Sequence, residues 1–356
     1  GAYYFSSNSY WYSMIEIIGT LLLVFLSYYF ACLAATNSNQ KIVYTSLFVV
    51  FSVALRVVLD VTLNNDYYFY YSFGIFHKPT GFLSYLLNEP YLYSVYAFFT
   101  LFLEAKKEVF LAMYWFNFLI ATLFFIWLLY RKDVEMWKKM ILFVFHYFLF
   151  GFVVLRNGPA YMLFAMYFYY AFRGKKFNWI WITPLMHISS CLLLVTYFHK
   201  WKNYYKGLVL ATVFIGVFFL IMKPFLASID AFKSILSKVD IYSKGMPVVG
   251  FMHILFFMFI SGLFLTGFLL YKKKMLHPIL VTTMLFYGIT FFINPIVAHR
   301  FSPYVIFALL LYPFDTLKNE KIVILLNRLT ILLFAIFLYT LNTAHRKQLF
   351  VDVFIK

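Results

Sequence analysis

Long apolar runs separated by short polar breaks make up most of this chain. Because about 20 apolar residues in a helix cross the hydrocarbon core of a bilayer, these runs predict membrane-spanning helices. We expect single spans at about 14–35, 42–63, 108–130, 207–222, 248–271, 277–294, 301–314 and 321–343. The run from 140 to 172 is long enough to cross twice, and the run from 91 to 103 suits a re-entrant or interfacial helix.

The positive charges between the runs predict which side of the membrane each loop faces. No lysine or arginine precedes the first span, whereas Lys41 follows it, so we expect the N-terminus outside the cytoplasm. Residues 131–139 and 173–176 are rich in lysine and arginine and are expected in the cytoplasm. Residues 63–107 and 223–247 then form outer loops, the second being either a surface helix or lid, or a solvated loop.

The run from 177 to 198 has two possible topologies. If it crosses the membrane once, the lysines at 200, 202, 206 and 272–274 all lie outside, against the positive-inside rule. If it enters and turns back, they are all cytoplasmic. Pro184, His187, Ser189 and Ser190 lie in the middle, where proline breaks a helix and hydroxyl groups can satisfy the freed backbone. We therefore favour a re-entrant or broken segment.

The composition excludes a soluble globular protein. Of the 356 residues, 64% are hydrophobic and 24% aromatic, which indicates an all-α polytopic membrane protein with about 10–12 transmembrane helices in one domain, 1–356. The net charge of +17 lies in short clusters between spans, which favours membrane lipids over nucleic acid as partners. The two cysteines lie in apolar runs and indicate no disulfide. No signal-peptide pattern precedes the first span, so we expect the spans to direct insertion.

A single arginine interrupts the run from 140 to 172. Arg156 stands in the segment 154–160 (Val-Leu-Arg-Asn-Gly-Pro-Ala), where we expect an outer turn between two spans. A permanent charge near the membrane is costly unless it meets a partner, so Arg156 indicates a functional site. The simpler alternative is an arginine that reaches the lipid headgroups.

Other isolated charges are expected on the same outer side. Arg56 follows Lys41 by fifteen residues, about 22 Å of helix, which places it in the outer third of the hydrocarbon core. An ion pair with Asp60 at i,i+4 is the simpler role for Arg56. Residues 294–300 are expected to form another outer turn. Because a guanidinium group can donate two hydrogen bonds to phosphate oxygens, we predict that Arg56, Arg156 and Arg300 form a diphosphate site, with His299 in the same outer turn as Arg300.

Three side chains could act as a general base. They are His187, Asp66 and Glu89, with His187 favoured because the ordinary pKa of histidine lies near neutral pH. A buried core histidine is the alternative for His187. The tyrosines of residues 67–71 either stack on sugar rings or belong to an aromatic belt. No pattern of divalent-metal ligands occurs, so we expect neither a metal nor another cofactor.

The order of these residues resembles that of the Wzy-type polysaccharide polymerases, especially their EpsG-like branch. The matching elements are Arg56; Asp66-Tyr67 with Tyr70; Glu89-Pro90-Tyr91; Arg156-Asn157-Gly158-Pro159-Ala160; Met186-His187-Ile188-Ser189; and Arg300-Phe301-Ser302-Pro303-Tyr304. They extend from about residue 50 to 310. The chain departs from the family at Asn64-Asn65, usually Gly-Thr, at Asn157, usually Gln, and at Met186, usually Phe.

The resemblance implies a glycosyltransferase with a GT-C-like architecture in a bacterial inner membrane. It would join undecaprenyl-diphosphate-linked oligosaccharide repeat units at the outer face, without a metal, to form O-antigen, capsule or exopolysaccharide. A chain-length regulator protein is an implied partner. The implied catalytic residues are His187, Arg156, Asp66 and Glu89. The implied substrate-binding or diphosphate-binding residues are Arg56, Arg156, Asn157, Tyr67, Tyr70, His299 and Arg300.

Two other functions remain open. A flippase or exporter of lipid-linked oligosaccharides would distribute charges along its path and often contains internal repeats, whereas here the isolated charges gather on the outer side and no repeat occurs. A membrane O-acyltransferase that uses acyl-CoA would need a site that faces the cytoplasm.

Overall fold

The described part of the chain is mostly helical. The structure, a computed structural model, describes residues 5–36, 38–72, 81–229, 251–293, 295–314 and 320–343, and these contain no β-strand. The α-helices are α1 (Phe5–Ala35), α2 (Lys41–Val58), α3 (Asn65–Ser72), α4 (Phe82–Leu87), α5 (Pro90–Phe99), α6 (Lys106–Leu129), α7 (Met136–Leu142), α8 (Gly158–Ala171), α9 (Cys191–Leu194), α10 (Tyr204–Ala227), α11 (Phe251–Tyr271), α12 (Pro278–Ile293), α13 (Pro295–Leu311) and α14 (Glu320–Thr343).

Several of these helices are suited to a membrane. Within the described residues, six helical segments are long and apolar enough to cross it: Glu16–Ala35, Lys41–Val58, Lys106–Leu129, Met136–Val153, His253–Leu276 and Glu320–Leu341. The chain is therefore an all-helical, multi-pass membrane protein, as its composition predicts.

Two predicted boundaries differ from the observed ones. The second span ends at Val58 rather than near residue 63, because Leu59 is extended and Asp60 caps the short 3₁₀ turn Val61–Leu63. Residues 295–300 were expected in a loop but form the first turns of α13. Proline is well suited to the start of a helix, where its missing N–H has no helical partner, and Pro295 begins this one.

The outer loops are described only in part. The first contains the short helices α3, α4 and α5, and residues 73–80 within it lie outside the described residues. Before the second loop, α10 continues to Ala227. The prediction of a surface helix or lid at 223–247 falls mostly on residues 230–247, which also lie outside the described residues.

The segment that leads to Arg156 is wound unusually. After α7, residues Phe143–Tyr147 and Leu149–Val153 form π-helical turns, and the amide of Val154 donates to the Leu149 carbonyl at 2.9 Å. The backbone then leaves the helix until α8 begins at Gly158. The predicted break around Arg156 is therefore confirmed, and it follows a type of helix that is frequent at functional sites.

The chain divides into two compact units. Unit 1 comprises Gly1–Gly74, Tyr96–Gly158 and Asp315–Lys356, and unit 2 comprises Ile75–Val95 and Pro159–Phe314. Each unit is discontinuous in sequence and is described separately.

In unit 1, α1 contacts both α2 and the last helix, α14. The hydroxyls of Ser27 and Ser52, both fully buried, form a hydrogen bond of 2.6 Å between α1 and α2. The ring of Tyr28 stacks on Phe334 of α14 with 3.7 Å between centroids, and its hydroxyl donates to the Thr330 carbonyl at 3.4 Å. Polar pairs and stacked rings thus connect the first and last helices of the chain.

In unit 2, both ends of the segment 177–198 lie at the same place. The segment consists of the 3₁₀ turns Asn178–Leu185 and Ile188–Ser190, then α9 and the turn Val195–Phe198. The rings of Phe172, before the segment, and His199, after it, lie 5.2 Å and 5.7 Å from the ring of His277, so they are at most about 11 Å apart. Because a span would separate them by about 30 Å, the segment turns back, as the re-entrant interpretation predicts.

Candidate active site

Glu89 of unit 2 has a strained backbone. Its φ of +57° lies in the left-handed region, which glutamate seldom adopts. Pro90 follows at the start of α5 and restricts the preceding residue further. Such a conformation costs about 1–3 kcal/mol and persists only where surrounding contacts impose it. Because Glu89 is only 2% exposed, these contacts lie inside the protein.

The contacts of Glu89 come from the break in the segment 177–198. Its Oε1 accepts a hydrogen bond from the backbone N–H of Ile188 at 2.9 Å and lies 3.3 Å from Nδ1 of His187. The His187 side chain is also buried. A carboxylate at Nδ1 favours the tautomer that carries its proton there, in which Nε2 carries the lone pair. The pair therefore supplies a histidine in the form that a general base requires.

Hydroxyl groups stabilise the break that presents His187. Pro184 has no N–H for the carbonyl of Trp181, its acceptor in a 3₁₀ helix, and the Thr183 hydroxyl donates to the Ile180 carbonyl at 2.7 Å. The Ser190 hydroxyl in turn donates to Thr183 at 2.9 Å. We predicted that Ser189 and Ser190 would satisfy the freed backbone here, but Ser190 instead bonds the hydroxyl of Thr183.

Two tyrosines that the sequence analysis did not select lie beside this pair. The ring of Tyr161 lies 6.0 Å from His187 and 4.7 Å from Tyr304, and both tyrosines are buried. The Tyr161 hydroxyl donates to the backbone carbonyl of Arg300. Tyr304 ends a motif quoted for the family resemblance, whereas no sequence motif points to Tyr161. Only the fold shows that Tyr161 lies beside His187.

Arg300 and His299 lie in α13 rather than in a turn. The Arg300 side chain is exposed, and the Arg300 atom that contacts Tyr161 is the carbonyl oxygen. The ring of His299 lies 5.3 Å from that of His253. Pro303 cannot donate to the His299 carbonyl, and the Ser302 hydroxyl donates to it at 2.6 Å. The hydroxyl before this proline thus satisfies the carbonyl that the proline leaves free.

Arg56 of unit 1 is a buried cation within a predicted span. It is 3% exposed, its Nη2 donates to the Leu59 carbonyl at 2.6 Å, and its guanidinium lies 5.4 Å from the Phe152 ring centroid. Its Nε and Nη1 are buried without a hydrogen-bond partner among the described residues.

The predicted ion pair between Arg56 and Asp60 does not form in the described part of the chain. The carboxylate of Asp60 instead accepts a hydrogen bond from the Thr62 amide at 2.9 Å. The cause is the early end of α2, since Asp60 no longer follows Arg56 by one helical turn. Arg56 therefore keeps two donors for a ligand.

Arg156 lies in the non-helical turn of unit 1 beside two predicted partners. Its Nε donates to the side chain of Asn157 at 3.3 Å, and its guanidinium lies 6.0 Å from the Tyr70 ring centroid. It is half-buried, unlike Arg56. The turn itself is held by Asn117, whose amide donates to the carbonyls of Phe150 and Val154 at 2.5 Å and 3.1 Å.

Tyr67 packs inside unit 1 rather than in a lipid-facing belt. It is 3% exposed, and its ring lies 5.6 Å from Phe110 and 6.3 Å from Tyr114. Burial, together with the neighbouring Tyr71, raises the pKa of Tyr67, so its hydroxyl stays protonated at neutral pH. Tyr70 is also buried. The side chain of Asp66 lies outside the described part of the structure.

A second histidine pair of unit 2 lies away from Glu89 and His187. Tyr161, beside His187, precedes Phe172 by eleven residues, about 16 Å of helix, and Phe172 contacts His277. Burial, together with the neighbouring His199, lowers the pKa of His277 to about 4, and burial also lowers that of His199. These rings are therefore neutral at physiological pH. They pack together where the two ends of the segment 177–198 meet.

Comparisons with other proteins do not assign the chain to a family. No protein-family model, curated protein or solved structure matches it significantly. The resemblance to Wzy-type polymerases stays a prediction from the order of the motifs.

Proposed function

We propose that this protein is a polysaccharide polymerase of the bacterial inner membrane. It joins oligosaccharide repeat units carried on undecaprenyl diphosphate at the outer face, without a metal. This proposal includes the finer architecture, with about 10–12 transmembrane helices and a GT-C-like arrangement. The observation that carries it is the buried contact between Glu89 and His187, two residues selected from the sequence as candidate bases and 98 positions apart.

The reaction needs one proton transfer and one displacement. His187 Nε2 takes the proton of the acceptor hydroxyl as its oxygen attacks the anomeric carbon of the donor sugar. The new bond joins that carbon to the acceptor oxygen, and the bond from the same carbon to the diphosphate oxygen breaks. Glu89 keeps Nδ1 protonated and stabilises the imidazolium that forms. Undecaprenyl diphosphate leaves with the electron pair.

The leaving diphosphate calls for fixed positive charge. Arg56 supports this role because two of its donors are buried without a partner in the described residues and a guanidinium remains charged at all relevant pH values. Arg156 adds a half-buried guanidinium on a turn that is shaped by Asn117. Fixed cations of this kind are suited to bind a diphosphate group.

The test is an in vitro polymerisation with a synthetic undecaprenyl-diphosphate-linked repeat unit. Wild-type protein should give a product ladder on a gel, also with chelator present. His187→Asn should lower the rate by about 10²-fold or more, since it removes the base. His199→Asn, a histidine of the same unit outside the site, is the matched control and should keep the wild-type rate.

A second variant separates Glu89 from a purely structural role. Glu89→Gln should lower the rate and also move the acidic limb of the pH–rate profile to lower pH, because a carboxylate favours the protonated form of the imidazole it contacts. A wild-type ladder from both His187→Asn and Glu89→Gln would exclude the proposed site. Movement of the lipid-linked sugar between liposome leaflets, without a ladder, would instead indicate a transporter.

A further inference from the structure

Two lysines of unit 1 share one acceptor at the predicted cytoplasmic side. The ammonium groups of Lys41 and Lys139 each donate to the carbonyl oxygen of Leu129 at 3.0 Å. They are therefore at most about 6 Å apart. Leu129 ends α6, and Lys139 also lies 3.5 Å from the carbonyl of Ala35, which ends α1. The negative ends of two helix dipoles thus attract both cations.

The helix ends cannot balance the charge that gathers here. Arg131 and Lys132 lie within electrostatic range of Lys41, and Arg131 also of Lys139. Asp133 supplies an opposing charge near Lys139, so four cations exceed the carboxylate that faces them. The partial charge of a helix terminus is about half an elementary charge, which leaves a net positive potential.

Burial makes this excess costly. Lys139 is 1% exposed, and in the described residues its ammonium group has only backbone carbonyls as hydrogen-bond partners. A further anion would offset the cost of burying this ammonium group beside other cations. Lys41 is half-buried and Lys132 is exposed, so the cluster can be reached from outside the protein.

We propose that Lys41, Arg131, Lys132 and Lys139 form a binding site for a phosphate group. Lys41, Arg131 and Lys132 contact the phosphate oxygens, and Lys139 stabilises the negative charge from beneath. The phosphate belongs either to the headgroup of an anionic lipid of the cytoplasmic leaflet or to a free phosphate compound, since both offer the same acceptors. The site does not depend on the proposed polymerase activity.

The test measures thermal unfolding of the purified full chain in phosphatidylcholine nanodiscs and chloride buffer. Inorganic phosphate is one probe, and nanodiscs that contain an increasing fraction of phosphatidylglycerol are the other. A ligand that binds the folded state raises the unfolding temperature with concentration. We expect a saturable rise with at least one probe. A rise with both indicates that phosphate alone suffices, whereas a rise with the lipid alone identifies a lipid headgroup site.

Variants assign the effect to the cluster. Lys41→Gln and Lys139→Met should each move the midpoint of the titration about tenfold or more, since each removes a charge that stabilises the anion. Lys273→Gln, an exposed lysine of unit 2, is the matched control and should respond as the wild type does. If Lys139→Met does not fold, the variant of the half-buried lysine, Lys41→Gln, tests the proposal alone. No response of the wild type, or equal responses of wild type and Lys41→Gln, would overturn the proposal.

Discussion

At the scale of the residue, buried charges have very different surroundings in this protein. Taking a charge out of water costs several kcal/mol unless hydrogen bonds or an opposite charge offset it. Glu89 has the Ile188 amide and the His187 ring as partners. Arg56 has a backbone carbonyl and an aromatic ring, and two of its donors lack a partner among the described residues. We therefore expect the buried charge of Arg56 to lower the stability of the fold and to be available to bind an anionic ligand.

The cost of Arg56 leads to a prediction about stability and activity. Arg56→Met should raise the free energy of unfolding by about 1–3 kcal/mol, because it removes a buried charge that its partners compensate only in part and keeps most of the side-chain volume. The same variant should lose the proposed polymerisation. Thermal unfolding in detergent and the product ladder measure the two effects.

Arg328→Met serves as the comparison for Arg56→Met. Arg328 is a partly exposed arginine of α14, and its substitution should change neither quantity by much. A clear loss of stability in Arg56→Met would mean that Arg56 supports the fold rather than a ligand.

At the scale of the element, most spans could be predicted from apolar length, but irregular helices could not. The first span, the span from 108 to 130 and the last one agree with α1, α6 and α14 because a long apolar run has few alternatives in a membrane. The π-helical turns before Arg156 gave no signal, since they depend on the side chain of Asn117, distant in sequence. The prediction of a turn at residues 295–300 was wrong because asparagine and proline are typical of turns, although proline also begins helices.

The same limit applies to the candidate site. Glu89 and His187 could be selected as chemically able residues, but their contact depends on a strained backbone and a broken segment. Ser302-Pro303 shows a pattern that a sequence can reveal: a hydroxyl residue before proline donates to the carbonyl that the proline leaves free in an α-helix.

The contact between α1 and α2 gives a prediction at this scale. The Ser27 and Ser52 hydroxyls satisfy each other in an apolar environment. Ser27→Ala or Ser52→Ala alone should cost about 0.5–1.5 kcal/mol, because each removes the buried hydrogen bond between α1 and α2. The double variant should cost no more than the worse single one.

A double-mutant cycle of unfolding free energies measures this coupling. Ser46→Ala, which removes an exposed hydroxyl bonded within its own helix, is the control. Simple addition of the two single costs would show that the buried hydrogen bond contributes nothing specific.

At the scale of the whole molecule, the re-entrant course of the segment 177–198 decides the sidedness of unit 2. The stretch after the segment lies near the one that follows residues 272–274, because the Tyr205 hydroxyl donates to the Leu276 carbonyl at 3.0 Å. Arg173, which donates to the Leu311 carbonyl at 3.3 Å, precedes the same segment. All three basic stretches are then expected on the cytoplasmic side.

Cysteine labelling of intact cells tests this expectation. In a background of Cys32→Ala and Cys191→Ala, Lys202→Cys and Lys273→Cys should react with a membrane-impermeant maleimide only after the cells are opened. Phe82→Cys, at a position that is 77% exposed in the first predicted outer loop, should react in intact cells. Reaction of Lys202→Cys in intact cells would show that the segment 177–198 crosses the membrane once.

The stacking of Tyr28 on Phe334 has a consequence for biosynthesis. The residues of the neighbouring hydrogen bond, Tyr28 and Thr330, are 302 positions apart. At a synthesis rate of about 5–20 residues per second, the first helix waits about 15–60 s for its last partner. During that time the Ser27–Ser52 bond pairs α1 with α2. A ribosome that stops before α14 would therefore leave an aromatic face of the first helix open to chaperones and membrane proteases.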